Sequence, residues 1–511
     1  MAALGIVSPD DPPAWGVATS LYEVQVGFGV FAGGYRYAPY PTAADLLADL
    51  PRIAELGYDG IQIMPRQPYP SYNVHDYTDI TTSYGDEEDI RRIVAACHAR
   101  GMRVILDILM HGVIDNEILE EAIAGVRSGP YAERLDEVIP DITSLDTTDP
   151  AEQDLYPIAW CAHVVNFGPW WAGGSPRRHP LADEHPDWFC RDSAGHITGI
   201  YTKAFDLANP EWQTWFIDAA LDLVRRLDID GFRFDAPSYN QFANWSESRR
   251  RTASASMLGC LSLFERLRPA LRALRPDALL YTEPSGILYR RTMDLTYNYD
   301  EQWLIRAVLT GGAGRRHWIR NGRELARWFA DRDAALPRGS ITAHHLDSHD
   351  SFWWAHPGQK WRREQYGIAA TAALMTVFTL SGGPYMTFVG GEVGIEGAVR
   401  RVHAIRAAHP VFAQGVSDPD AVDAGDDRVY AVVRRLGDTA GILLVNLSDA
   451  ALELEVTVAA WTLRDGGGKV VADDLIGGGT LAWAPAADGR RVASIRLGTW
   501  GAAALVARPE G

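Results

Sequence analysis

From about residue 15 to residue 412, short apolar runs alternate with longer stretches in which apolar residues recur every three or four positions. That alternation is the pattern of strand-helix units, a strand buried on both faces followed by a helix that covers it. One unit is especially legible. Asp86 can cap a helix whose apolar positions Ile90, Ile93, Val94 and Cys97 lie three and four apart, with Gly101 beyond its end and the strand from Val104 to Met110 next. Further on, Asn209-Pro210 predicts an N-cap followed by proline at the first helical position. The amphipathic helix it opens delivers the chain into Gly231-Phe-Arg-Phe-Asp235. Eight strands are predicted in this way, at 17–26, 60–65, 104–110, 231–235, 278–283, 293–297, 341–347 and 383–389. Eight parallel strands alternating with helices imply an α/β protein built on a closed (β/α)8 TIM barrel, with its chemistry at the C-terminal ends of the strands.

Two stretches break the rhythm. Between Met110 and Asn209 the spacing is far longer than a strand-to-helix loop, and the segment is rich in Trp, Pro and His, including Trp160, Trp170, Trp171 and Trp188. It is expected to be an irregular lobe inserted after strand 3, over the barrel mouth. After about Val411 the pattern changes to period two, as in Arg428–Val433 and Gly441–Asn446, which predicts a C-terminal β-sandwich domain. The expected organisation is barrel over 1–111, lobe over 112–205, barrel again over 206–412, and sandwich over 413–511.

Composition narrows the function. The 511 residues carry 48 Lys plus Arg against 66 Asp plus Glu, a formal net charge of −18 that repels phosphate backbones and anionic lipid. Neither nucleic acid nor membrane is an expected partner, and oligomeric state is left open. The four cysteines, Cys97, Cys161, Cys190 and Cys260, have no metal-ligand spacing and are expected to be buried thiols in a reducing compartment. Met1 to Trp15 has no basic run before an apolar stretch, so a cytoplasmic location is expected.

Barrel logic directs attention to the ends of the strands, where four acidic residues fall: Asp107, Asp235, Glu283 and Asp350. A lone Asp after a strand is usually a turn former or helix cap. Four converging on one mouth raise at least one pKa, so that one group stays protonated at neutral pH. Two carboxyls with separated pKa values are what cleavage of a glycosidic bond requires. Arg233 lies two residues before Asp235, on the same face of the strand, where a guanidinium would keep a nucleophile ionised. Glu283 has no basic neighbour in sequence, which favours a raised pKa. The cluster of His344, His345 and His349 is not read as a metal site, because period two splits it between faces.

These residues resemble a family. Val104-Ile-Leu-Asp-Ile-Leu-Met-His-Gly112, Gly231-Phe-Arg-Phe-Asp-Ala236, Leu279-Leu-Tyr-Thr-Glu283 and Leu346-Asp-Ser-His-Asp350 look like, in order, the four signature regions of the α-amylase family of retaining glycoside hydrolases and transglycosylases. Tyr72-Asn-Val-His-Asp-Tyr77 and Phe205-Asp-Leu-Ala-Asn-Pro210 are similar to shorter segments of the same family. The resemblance implies that Asp235 is the nucleophile, Glu283 the general acid/base and Asp350 the residue that clamps sugar hydroxyls. Arg233 and His349 would support them, Tyr72 would stack under the reacting ring, and Asp107 and His111 would complete the substrate-binding set. The implied substrate is an α-linked oligosaccharide or small glucoside. Retention implies roughly 5 to 5.5 Å between the Asp235 and Glu283 carboxyls.

The departures are informative. The first region usually reads Asp-x-x-x-Asn-His, whereas here His111 and Gly112 occupy the last two places, Ser238-Tyr239 follow the second region where Lys-His is common, and Ser348 replaces the usual Asn. Many amylases bind structural calcium through the Asn and His positions, and with His111 and Tyr239 there no calcium is expected, since that ion needs hard oxygen ligands. No other cofactor is expected. The changes bear on ordinary starch hydrolysis more than on glycoside chemistry. Two rival readings are phosphate-dependent glycosyl transfer, as in a sugar phosphorylase, and a catalytically degenerate barrel serving as a carbohydrate-binding or partner module.

Overall fold

The computed structural model describes residues 7–27, 39–65, 76–79, 85–137, 150–172, 175–199, 202–237, 242–246, 253–283, 287–297, 300–310, 319–349, 361–463 and 470–507, without the side chains of 150, 167, 170, 171, 300, 302 and 303. Three strands come first, β1 (Ser20–Val24), β2 (Gly60–Ile63) and β3 (Arg103–Ile108). A two-stranded ribbon of β4 (Gly112–Val113) and β5 (Lys203–Ala204) stands apart. Then follow β6 (Gly231–Phe234), β7 (Leu279–Thr282), β8 (Leu295–Tyr297), β9 (Thr342–His345) and β10 (Tyr385–Phe388). Every strand except the ribbon pairs in parallel with its neighbour, and β10 closes on β1, giving the eight-stranded closed barrel. Each of the eight expected strands is present, shorter by up to three residues at either end, except that β3 begins one residue earlier, at Arg103.

Local sequence accounts for the helices between them. Helix α1 (Ala43–Glu55) turns Leu46, Leu50 and Ile53 inward, and α2 (Glu87–His98) is capped by Asp86, whose side chain accepts from the Asp89 amide. The four apolar positions expected on α2 are its four buried residues. Inside the barrel a separate layer of Leu21, Ile105, Leu279, Tyr281, Leu295, Tyr297, Ala343 and Met386 fills the lumen, so it is a packed core and not a pore.

The insertion after β3 is not irregular, which corrects the expectation. It contains α3 (Asn116–Ser128) and α4 (Pro150–Trp171), followed by a short α5 (Leu181–Glu184) before β5. The 22-residue α4 was hidden because Pro157 and Pro169 lie within it and its apolar residues are spread around the whole helix instead of along one stripe. The beginning and end of the lobe are tied to each other by Lys203 on β5, whose buried ammonium sits 2.8 Å from Asp115 Oδ2 and also bonds Glu117. Helix α6 (Pro210–Leu227) then returns to the barrel, with Asn209 as its N-cap, and α7 (Gly259–Leu274), α8 (Asp300–Leu309) and α9 (Gly322–Ala335) follow in turn.

The C-terminal region comprises β11 (Val416–Asp418), β12 (Val422–Asp423), β13 (Val429–Leu436), β14 (Thr439–Asn446), β15 (Leu452–Val458), β16 (Val470–Asp474), β17 (Thr480–Pro485), β18 (Arg491–Leu497) and β19 (Ala502–Ala507). They form one antiparallel sheet in the order β11-β13-β14-β19-β16-β17-β18-β15-β12. Val433 and Leu444 from one half of it share a core with Val456 and Trp483 from the other, so the sheet encloses its own apolar centre. All four cysteines are free, and Cys161 is only half-buried, unlike the other three, because it lies on the partly exposed α4.

Gly231 opens β6 where that strand runs against β7, and a Cβ built there overlaps the carbonyl oxygen and amide of Leu279. Replacing it forces the two strands apart at the root of the segment that carries Asp235. Gly231→Ala is expected to lower stability by about 1–3 kcal/mol, the usual range for overpacking, measured by denaturant unfolding.

Candidate active site

Neighbouring strands deliver neighbouring side chains. Asp107 near the end of β3, Arg233 within β6, Asp235 just past β6, Glu283 just past β7 and Tyr297 at the end of β8 meet at the C-terminal mouth because these four strands are consecutive around the barrel. Arg233 is completely buried at the centre of the group. Its Nη1 donates to Asp107 Oδ2 at 2.9 Å and to Asp235 Oδ1 at 2.5 Å. Its Nη2 donates to Glu283 Oε1 and, at 2.7 Å, to the hydroxyl of Tyr297. Tyr297 in turn donates to Glu283 Oε1 at 3.2 Å, and the amide of Ala236 donates to Glu283 Oε2 at 2.8 Å. Ala236 adopts a positive φ of 35°, a strained conformation for a residue with a side chain, immediately after Asp235.

One guanidinium therefore serves three carboxyls, and its single positive charge cannot balance three negative ones. Burial pushes Asp107 up to about 8, aided by the negative charges of Asp235 and Glu283 and opposed by Arg233. Glu283 is also raised above the ordinary carboxyl range, first by burial and then by Asp235, again against Arg233. The absence of a basic neighbour in sequence thus did not translate into space: Arg233 touches Glu283, and it is desolvation that holds its pKa up.

His111, just ahead of β4, is mostly enclosed, with Nδ1 3.8 Å from Asp235 Oδ2. Burial pulls its pKa down to about 4, so it faces the nucleophile position as a neutral imidazole at pH 7. Gly112 beside it has no room for a side chain, since a Cβ there overlaps the Lys203 carbonyl across the β4–β5 ribbon. An imidazole at 111 and no side chain at 112 do not suit a hard cation. Among the described residues no group of three or more His, Cys, Asp or Glu could hold a metal.

His349 reaches the same mouth from the segment after β9. Its Nδ1 is 2.7 Å from Glu23 Oε1, and its amide donates to the other oxygen of that carboxylate at 3.1 Å. Glu23 on β1 also accepts from Gln62 Nε2 on β2 at 3.0 Å, and Gln62 accepts from the Tyr281 hydroxyl at 2.7 Å. Burial raises the Glu23 pKa, but the pairing with His349 outweighs it and holds the carboxylate below its usual range. The other two histidines go separate ways. His344 bonds Glu301 outside the barrel at 2.7 Å, and His345 packs against the ring of Tyr297 inside it.

Tyr72 and Asp350 lie outside the described residues, as do Ser238, Tyr239, Trp353 and Trp354, and the side chains of Trp170 and Trp171. Trp188 and Trp212 are core residues, Trp188 stacked on His185 at 3.8 Å. Glu23 and Tyr297 were not singled out from the sequence. Both lie in the C-terminal half of a barrel strand, so inspecting the final residues of every strand for any polar group, not only for acids, finds them.

Buried carboxyls on adjacent strand ends of a parallel barrel, sharing one arginine, are the equipment of a glycoside-cleaving barrel. The comparison with known proteins agrees with that class. The family model described as the alpha amylase catalytic domain matches residues 46–423, and the chain belongs to the α-amylase family. An intracellular maltogenic amylase of Bacillus subtilis is 26% identical over 205 residues, 40% of this chain and 27% of that protein. A 1,4-alpha-glucan branching enzyme of Salinibacter ruber is 21% identical over 397 residues, 73% of this chain and 53% of that protein. The chain thus spans between about a quarter and about half of the length of these relatives. Among solved structures, the α-amylase of Geobacillus thermoleovorans complexed with acarbose superposes with a TM-score of 0.64 at 15% identity, covering 97% of this chain and 99% of that one. A maltogenic α-amylase of Thermotoga neapolitana gives 0.63 at 16% identity over 97% and 99%.

A carboxyl with a folded pKa near 8 and an ordinary unfolded one holds a proton that the unfolded chain has released, so it favours the folded state less and less as pH rises from about 4 to 8. Asp107→Asn mimics the protonated form. The variant is expected to lose that part of the decline, so that its melting temperature changes less than the wild type's between pH 4 and 8.

Proposed function

We propose that the protein is a retaining glycoside hydrolase or transglycosylase acting on α-glucosidic bonds of oligosaccharides or small glucosides. The observation that carries this reading is the sharing of the Arg233 guanidinium between Asp235 and Glu283, which holds the two carboxyls within the span of one planar group while burial keeps the Glu283 pKa high. Close carboxyls belong to retention, and wide ones to inversion. The maltogenic amylase and branching enzyme relatives are named for work on α-glucans, which favours that substrate class.

In the first half-reaction Asp235 attacks the anomeric carbon while Glu283 gives its proton to the glycosidic oxygen, and the leaving sugar departs as an alcohol. In the second, ionised Glu283 takes a proton from water or a sugar hydroxyl, whose oxygen attacks the same carbon and frees Asp235. Asp350 would clamp sugar hydroxyls and Tyr72 would stack under the ring. Asp107, Arg233, His111 and His349 would complete the binding set, neutral His111 offering a hydrogen bond where the family usually has Asn. The assignment of 1–111 and 206–412 to the barrel, 112–205 to the lobe and 413–511 to the C-terminal domain belongs to the same reading, as does a cytoplasmic location like that of the intracellular relative.

The reading is tested with a panel of α-linked disaccharides, maltooligosaccharides and sucrose followed by anomeric NMR signals. The expected first product is the α-anomer, and Asp235→Asn and Glu283→Gln should each lower kcat by about 10²–10⁴ or more. A β-anomer as first product, or full activity in either variant, overturns it. Product formation that requires phosphate would instead support phosphorolysis.

The raised Glu283 also sets a pH profile. Because this group must be protonated to act as an acid, kcat/KM should fall on the alkaline side at a pH above the ordinary carboxyl range near 4.3. Loss of activity already complete at pH 5 would contradict the role.

A further inference from the structure

At the opposite end of the barrel, where β9 and β10 begin, lies a cleft of about 520 Å³ between the barrel, α9 and the C-terminal sheet. It falls in the volume range of small-molecule sites. Its walls include the chain from Gly339 to Thr342, the pair Gly382-Gly383 ahead of β10, Ser417 on β11 and Arg434 on β13.

Arg434 is 3% exposed. Its Nη1 donates to Ser417 Oγ, its Nε has no acceptor among the described residues, and no described carboxylate forms an ion pair with it. Gly382 accommodates the guanidinium: a Cβ on that residue overlaps Arg434 Nη2, and its φ of 99° favours glycine independently.

Two more buried arginines stand behind the same wall. Among the described residues Arg290 donates only to the Ile341 carbonyl and the Thr342 hydroxyl, and Arg406 only to the carbonyls of Ala18, Thr379 and Gly383. Burial brings Arg290, Arg406 and Arg434 each down to about 10, and Arg406 is further lowered by the positive charge of Arg434. Of the charged residues on the wall, Arg332 is met by Asp333 at 2.8 Å and by Glu301 at 2.7 Å, and the Asp333 carboxylate acts on Arg434 only across space, so Arg434 is the arginine of the wall with no described carboxylate in contact. Buried charges in proteins are ordinarily paired. Here the missing partner is an anion, and the cleft beside Arg434 is the space for it.

We propose that this cleft is a second ligand site, distinct from the catalytic mouth, that binds a small phosphate-bearing molecule through Arg434 and Ser417. The guanidinium supplies planar donors for phosphate oxygens, Ser417 a hydroxyl, and the remaining volume admits a polar group attached to the phosphate. The inference is independent of the chemistry assigned to Asp235 and Glu283.

The test is the thermal unfolding midpoint of the full chain in sodium chloride, inorganic phosphate and glucose 6-phosphate at matched ionic strength, with titration calorimetry of the same ligands. Phosphate at about 100 times its Kd should raise the wild-type midpoint by several degrees above the chloride control. Arg434→Met should abolish the shift, and Ser417→Ala, which leaves the buried charge in place, should weaken phosphate binding several-fold. If Arg434→Met does not fold, Ser417→Ala alone decides. Tighter binding of glucose 6-phosphate than of inorganic phosphate identifies the sugar ester as the ligand type, and equal affinity identifies the free ion. No shift above chloride in the wild type, or an equal shift in wild type and variants, overturns the proposal.

Discussion

The mouth of the barrel is organised around one buried guanidinium. Arg233 is fully enclosed, and each of its two terminal nitrogens is shared, one between Asp107 and Asp235, the other between Glu283 and Tyr297. A lysine, with its compact charge and no planar fork, could not span β3, β6, β7 and β8 in this way. Burial penalises each ionised carboxyl and a single positive charge cannot offset three, so desolvation first and mutual repulsion second raise the two most enclosed of them. Asp107, the most enclosed, and Glu283, next to it in burial, are both raised. The same arginine thus fixes positions, while burial raises Asp107 and Glu283 against its pull.

The two ends of the barrel carry opposite excesses. At the C-terminal end of the strands buried carboxyls outnumber their arginine. At the N-terminal end Arg290, Arg406 and Arg434 bond carbonyls and hydroxyls but no described carboxylate. Part of that positive charge is met by peptide dipoles, since Arg406 donates to the carbonyl of Thr379 in the last turn of the helix Ile368–Leu380. Arg434 lacks even that compensation, which singles it out among the three.

The departures from the family pattern in the first region have a local cause. The ribbon that begins at Gly112 brings the Lys203 backbone so close that only glycine fits, and the same strand presents the Lys203 ammonium to Asp115 and Glu117. Residue 111 is therefore the last position before the lobe with a side chain directed toward Asp235, and it carries a neutral imidazole.

The strand-helix alternation, the capping residues Asp86 and Asn209 and the strand-end acids were legible in the sequence because each depends on short-range periodicity or on position within one element. Helix α4 was not legible, since prolines and an all-round apolar surface erase the period that marks a helix. Glu23 and Tyr297 escaped for a different reason: their roles come from partners 326 and 64 residues away, His349 and Arg233. By itself, then, the sequence determined the barrel, its eight strands and the identity of the groups at the ends of those strands, because burial on both faces and strand period are local properties of the chain. Tertiary structure alone decided that one arginine would serve three carboxyls, that Glu283 would have a cationic neighbour after all, and that Arg434 would be buried with no described carboxylate bonded to it. Charge balance in a low-dielectric interior depends on which distant segments meet, and no spacing along the chain encodes it directly.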